Sequence, residues 1–274
     1  MKSKGIGIVI FLLSLTGCNN DTPLPSNSVT TTEIFPAIKS VQYEDGSVLT
    51  TVELHNFLGD YLYLSSGDNL LSSLDVPPEQ LTGFSDNLFA NAQVLSNRVN
   101  VLQERNLFTN YILFYTVIDG SPEYYALDNT DGLSLPIRSY VTLQRLNHQS
   151  ATNSWVELPP AFSIMTPDPY SSISRSGTLT LSWSNFDNVS IMKLDVGAVC
   201  DGIRYPASLN LGIVNTGSIV LNTADYFPIA PPPTSNCSVS FLLNRQKLGF
   251  ISPDFGGGSF EGIQQRTIQF TSTP

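Results

Sequence analysis

Few residues in this chain have side chains that do chemistry readily: three cysteines (Cys18, Cys200, Cys237), two histidines (His55, His148) and a scattered set of carboxylates. A His-Glu-x-x-His helix, a Cys-x-x-Cys pair or a Gly-x-Ser-x-Gly turn would point to zinc or to a serine nucleophile, and none of the three occurs. A catalytic triad assembled from distant residues is invisible to such a search. Glu53 and His55 stand two apart in an alternating stretch and so share one strand face. There they form either a catalytic or metal-binding pair or a solvated surface pair, the commoner outcome on a sheet face. Asp128-Asn129-Thr130-Asp131-Gly132 has the composition of a calcium loop without its one-three-five ligand spacing, and reads as a polar turn. Asp254-Phe255-Gly256-Gly257-Gly258 lacks the Lys-Ser/Thr of a phosphate loop and reads as a flexible hairpin. No cofactor and no metal is implied.

Cys18 is set apart by what precedes it. Lys2 and Lys4 give a positive start, and Ile6 to Leu13 form an apolar run broken only by Gly7, too short for a permanent transmembrane helix. The run ends at Leu15-Thr16-Gly17-Cys18, which resembles the lipobox of bacterial lipoproteins. That resemblance implies that residues 1–17 are a removed signal peptide, that the Cys18 thiol carries a diacylglyceryl group with further acylation such as palmitate, and that Cys18 becomes the first residue of the mature protein. Asn19 follows, where an Asp would favour retention at the inner membrane. The resemblance therefore implies the outer membrane of a diderm bacterium, with the body facing either the periplasm or the exterior. One acyl chain binds only reversibly, but two or three hold a protein at the bilayer without a spanning helix. The alternative is an ordinary secretory signal whose Cys18 is later used in a disulfide.

With Cys18 assigned to lipid by that resemblance, Cys200 and Cys237 remain as a pair. In Met192-Leu194-Val196-Ala198-Cys200 every second residue is apolar or small, with Lys193 and Asp195 on the other face. Cys237 shares parity with Val239, Phe241 and Leu243, so both thiols are expected to point inward. They form a disulfide or, in the alternative, two separate buried thiols.

The full chain carries 13 Lys+Arg against 23 Asp+Glu, and removal of Lys2 and Lys4 leaves 11 against 23, a net charge of −12. This balance excludes nucleic acid as a partner and gives the folded part no electrostatic attraction to anionic lipid, leaving the membrane contact to the anchor. Only 13% of residues are charged, and Gly, Pro, Ser, Thr and Asn are frequent. That mixture reads as short strands with many turns.

In chain order, residues 18–35 carry little apolar weight and read as a lipidated flexible tether able to hold the body off the membrane. A first β-rich domain is expected over 36–166. Tyr43-Glu44-Asp45-Gly46-Ser47 is a turn, after which Val48, Thr50, Val52 and Leu54 line the inner face of a strand whose outer face carries Glu53 and His55. Tyr61-Leu62-Tyr63-Leu64 follows across a Gly59-Asp60 turn. Leu81, Phe84 and Leu88 hint at one helical excursion, and Tyr111 to Ile118, apolar on both faces, reads as a central strand covered on both sides. Ser154 to Leu158 closes the region.

After Met165-Thr166-Pro167-Asp168-Pro169, a second domain is expected over 167–274. Thr178 to Ser184 alternates with Leu179, Leu181 and Trp183 inward. Strands at 190–200, 217–222, 237–247 and 264–271 follow at the spacings of a sandwich. This half resembles a fibronectin type III or other immunoglobulin-like β-sandwich, although no tyrosine corner is evident. The fold class is all-β, with two tandem antiparallel β-sandwich domains, or one larger sandwich or barrel in the alternative.

Two classes of function remain. One is a non-catalytic envelope lipoprotein whose domains bind a protein or glycan or act as a structural module. The other is a hydrolase of envelope polymers, which would need a pocket holding two carboxylates with raised pKa values. Tyr124-Tyr125, beside Pro122-Glu123, and Tyr170, beside Pro169, are candidate exposed aromatic tips. Half-buried loop anchors are the alternative.

Overall fold

Apolar-polar alternation is the dominant pattern of the chain, and it builds sheets. The computed structural model describes residues 24–74, 111–112, 114–118, 121–130, 136–212, 216–227 and 234–274. The Leu15–Cys18 signal, the first part of the expected tether and the helical excursion at Leu81 to Leu88 lie outside the described residues. The strands are β1 Leu24–Pro25, β2 Phe35–Gln42, β3 Ser47–His55, β4 Leu62–Tyr63, β5 Asn69–Leu74, β6 Tyr111–Ile112, β7 Phe114–Ile118, β8 Ser121–Asn129 and β9 Arg138–Gln144. They continue with β10 Ala151–Glu157, β11 Ile164–Thr166, β12 Ser172–Ser174, β13 Leu179–Trp183, β14 Ile191–Cys200, β15 Ile203–Gly212, β16 Ser218–Leu221, β17 Cys237–Leu248 and β18 Ser259–Thr273. Helical structure among the described residues amounts to short turns, such as Thr223–Tyr226.

One long sheet runs in the order β15-β14-β17-β18-β2-β3-β8-β7, with β12 beside β18. A sheet of order β10-β9-β5-β6 covers its β2-β3-β8 part. Between them lie Ile38, Val52, Leu54 and Tyr124 from one layer and Leu70, Val141, Leu143 and Val156 from the other. A sheet of order β11-β13-β16 covers the β14-β17-β18 part, enclosing Leu181, Trp183, Leu194, Phe241 and Phe270. The molecule is thus all-β, two sandwich cores under one continuous sheet. The sheet runs on because β18 is fifteen residues long, on the order of 50 Å at strand rise. Its even-numbered residues face inward throughout, Phe260 into the first core and Ile268 and Phe270 into the second.

The two cores expected on either side of residue 166 share this sheet. β18 pairs in parallel with β2 from Ser259↔Ala37 to Gln264↔Gln42, and Phe255 and Phe260 complete the first core. The chain leaves the first sandwich near Pro159-Pro160 and later returns to it. A single strand that crosses both cores leaves no trace in local periodicity.

Of the expected tether, the part from Leu24 onward is not loose. From Leu24 onward the chain is packed: β1 pairs with β4, and Ser26, Thr31 and Ile34 are buried. Arg145, just beyond β9, holds the segment. Its Nη2 donates to the Ser26 and Val29 carbonyls (2.6 and 2.9 Å), Nη1 donates to Thr31 Oγ1 (3.0 Å), and Nε faces Asp68 Oδ2 at 3.3 Å. Asp68 in turn accepts from Ser26 Oγ and from the Leu146 amide. A polar segment that buries little apolar surface is ordered here by a buried ion pair.

Two further expectations change. Among the described residues, Tyr111 to Ile118 is not one central strand: β6 and β7 end the described orders of two different sheets, a change of partner that an apolar run cannot reveal. Asp254 to Gly258 is not a flexible hairpin. Phe255 is buried, Gly256 N–H donates to the Ile34 carbonyl, and a Cβ at Gly256 or Gly258 would lie 2.2 or 2.3 Å from the carbonyl oxygens of Thr32 and Pro36. The glycines allow two backbones to touch.

The alternation in β3 is as expected, with Val48, Thr50, Val52 and Leu54 buried, as is that of Leu179, Leu181 and Trp183 in β13. β15 has no counterpart in the sequence reading because Pro206 interrupts its pattern. It lies at the end of the long sheet, where a proline costs no ladder bond on its outer side.

Candidate functional site: a cleft where the two cores meet

Where β18 passes from one core to the other, its arginine-bearing stretch floors a cleft of about 320 Å³ lined by Glu44, Ser163, Tyr170, Arg266, Thr267 and Gln269 among others. The β2–β3 turn supplies Glu44, the approach to β11 supplies Ser163, and β18 supplies the last three. Arg266 is buried. Its Nε donates to the Phe162 carbonyl at 2.8 Å, Nη1 to the Gln265 carbonyl at 2.7 Å and Nη2 to Gln264 Oε1 at 3.2 Å. Gln264 is joined to Gln42, and Gln42 to Thr130. Arg245, also buried, donates to the carbonyls of Pro160, Ser184 and Asn185. Both guanidinium groups lie over the Phe162 ring, at 4.7 Å for Arg245 and 5.4 Å for Arg266. Burial lowers both pKa values; Asp187 counteracts it at Arg245 and Glu44 at Arg266. The floor is therefore tied by hydrogen bonds to its surroundings, and Glu44 on the cleft's lining favours the charged form of Arg266.

Tyr170 stands at the rim with 83% of its surface exposed. Its φ of 58° is in the left-handed region that a residue with a Cβ seldom occupies, and its N–H donates to the Gln269 carbonyl at 2.6 Å. The backbone at Tyr170 is thus fixed to the sheet, and its ring is open to solvent. Tyr124 and Tyr125, the other aromatic candidates, are buried in β8, and Tyr124 Oη accepts from the Leu64 amide. They are core anchors.

Of the other candidates, Cys200 and Cys237 face each other across β14 and β17 as a disulfide, with a Cα–Cα distance of 4.3 Å and both residues fully buried. The bridge joins neighbours in one sheet, unlike the inter-sheet bridge of antibody domains. Cys18 lies outside the described residues. His55 Nε2 is 3.3 Å from Glu53 Oε2, its Nδ1 is 3.3 Å from the Gly59 carbonyl, and its ring is 4.6 Å from that of Tyr61. Asp128 and Asn129 continue β8 rather than forming a loop, and Thr130 is bonded to Gly46 and Gln42; Asp131 and Gly132 lie outside the described residues. No cluster of three potential metal ligands occurs among the described residues.

Among the described residues, Glu53 and Glu123 on neighbouring strands are two carboxylates that interact. Burial raises the Glu123 pKa, Glu53 raises it further, and Lys39 and Thr51 oppose the shift. A carboxyl whose folded pKa exceeds its unfolded value is penalised when it ionises, so stability falls as pH rises from about 4.5 through the raised value. Glu123→Gln should leave the melting temperature unchanged near pH 3 and raise it at pH 7, as read by thermal denaturation at both. The pair sits on the face of β3 and β8, whereas Glu44 is the one carboxylate among the described residues that line the junction cleft.

Glu44, Arg266 and Gln269 escaped the sequence reading. Glu44 was visible only as part of a turn, and nothing local marks a β18 arginine as the floor of a cleft.

No family model matches the chain, and no curated protein matches it. Among solved structures, the IG1+IG2 portion of DIP-gamma aligns over 87% of this chain and 97% of its own at 8% identity and a TM-score of 0.23. Red sea bream transglutaminase aligns over 87% of this chain but 31% of its own, at 12% identity and 0.22. The N-terminal four Ig domains of Dscam1 align over 88% and 51%, at 10% identity and 0.21. Likenesses of this size carry no function to this chain.

Proposed function

We propose that this chain is a lipid-anchored protein of the bacterial envelope, held at the outer membrane by acyl chains on Cys18, that acts without catalysis by binding a protein or glycan at the junction cleft. The anchor is supported by Leu15-Thr16-Gly17-Cys18 behind a short apolar run with a basic start, and the outer membrane by Asn19. The observation that carries the binding role is Tyr170: a large ring held in solvent by a strained, hydrogen-bonded backbone beside amide, hydroxyl and carboxylate groups. Such a ring gains contact area on binding while losing little side-chain entropy.

Two measurements test the two halves. Labelled palmitate should enter the chain, and Cys18→Ala should abolish the label and shift the protein from the membrane to the soluble fraction; continued labelling refutes the anchor. A photo-crosslinking side chain at position 170 should give a discrete adduct in intact cells that the same group at Leu248, exposed at the end of β17, does not. Equal yields from both positions refute the cleft as the binding site.

A further inference from the structure

We infer that the β3–β4 turn is a second membrane contact: Phe57 and Leu58 dock into the lipid surface to which Cys18 is tied. This rests on the anchoring reading above and specifies how the body meets the bilayer. Phe57 and Leu58 are 69% and 70% exposed, adjacent, and at the tip of a turn that is built to hold them out. Asn56 is buried beneath them. Its Oδ1 accepts from the Leu58 and Asp60 amides (both 2.9 Å), its Nδ2 donates to Asp60 Oδ2 (2.9 Å), and its backbone bonds to Asp60 and Gly59 close the turn. Two large apolar side chains on a turn already ordered lose little freedom on burial.

The path of the chain supplies the occupant. β1 runs parallel to β4 with Leu24 opposite Leu62, and the Leu24 amide donates to the Tyr61 carbonyl. The N-terminal end of β1 therefore lies at the end of β4 that carries the turn. Only residues 19–23 separate Cys18 from Leu24, so six steps along the chain give a reach of at most about 21 Å. Because Arg145 and Asp68 fasten the chain from Ser26 onward, the body cannot stand off on an eighteen-residue leash, and the turn is the end held near the lipid. Leu24 and Tyr63, both exposed, flank the turn and widen the apolar collar. Glu53 and Asp60 beside it disfavour anionic headgroups, so the surface that fits is zwitterionic, rich in phosphatidylethanolamine.

The test uses the full acylated chain in phosphatidylethanolamine and phosphatidylcholine vesicles with brominated acyl chains, comparing the wild type with Phe57→Trp and Tyr170→Trp. Gln269, which holds Tyr170, is ten residues along β18 from Ser259, about 33 Å away from the turn end of the sheet. The added indole at 57 should be quenched by half or more and that at 170 left unchanged. Phe57→Ser with Leu58→Ser, both at exposed positions, should weaken vesicle binding of the acylated chain at least tenfold. If the mass of the reconstituted protein shows no acyl group on Cys18, the anchor and the docking fall together. An acylated chain whose indole at 57 is unquenched overturns the docking alone.

Discussion

Replacing Arg145 with leucine is expected to cost about 3–5 kcal/mol of stability, because it leaves the Asp68 carboxylate buried without its cation. The guanidinium is fully buried, and the Asp68 side chain is 4% exposed. The loss should also have an address. The Ser26 and Val29 carbonyls and Thr31 Oγ1 lose their donor, so backbone amides between Leu24 and Ile34 should lose hydrogen-exchange protection first. Arg145→Leu combined with Asp68→Leu should recover part of the global stability, since no lone charge remains buried, while the 24–34 amides stay exposed to exchange. Urea denaturation reads the first effect and exchange mass spectrometry the second. Equal protection of these amides in wild type and variant would contradict the clamp.

The second large effect is expected at the disulfide. Cys200 and Cys237 are 37 residues apart in sequence and directly opposite in register. Closing a loop of that length restricts the unfolded chain by about 4 kcal/mol on the entropic account. Cys200→Ala with Cys237→Ala should lower the urea midpoint accordingly, with alanine chosen so that no unbonded hydroxyl is buried in a fully enclosed site. Reductant should lower the midpoint of the wild type and leave that of the double variant unchanged. A wild type indifferent to reductant would mean that the bridge contributes nothing. Because the bridge ties β14 to β17 at one end of the second core, the first sandwich should keep its exchange protection longer on reduction.

The proposed anchor, turn and cleft fit one geometry. Leu24 and Phe57 mark one end of the first sandwich, and Glu44, on the turn at the opposite end of β2 and β3, lines the cleft. Under the proposed anchoring the acyl chains and the turn hold one end of the long sheet at the lipid. The cleft with Tyr170 then lies roughly 30 Å further along β18, within reach of a partner in the surrounding compartment.

What the chain's own pattern determined was everything that depends on period. Alternation in 48–54 and 179–183 placed strands and their inner faces, the shared parity of Cys200 with Val196 and Ala198 and of Cys237 with Val239 turned both thiols inward, and turn residues placed the breaks. Side-chain direction in a strand follows from position alone, so these needed no partner to be read. Tertiary structure alone decided which strand pairs with which: β18 crossing two cores, β6 and β7 ending different sheets, and Arg145 reaching back more than a hundred residues to order 24–34. It also separated Tyr170 from Tyr124 and Tyr125, since a tyrosine near a proline is rim or core only according to what packs over it. Pairing and burial are relations between distant residues, and local composition has no access to them.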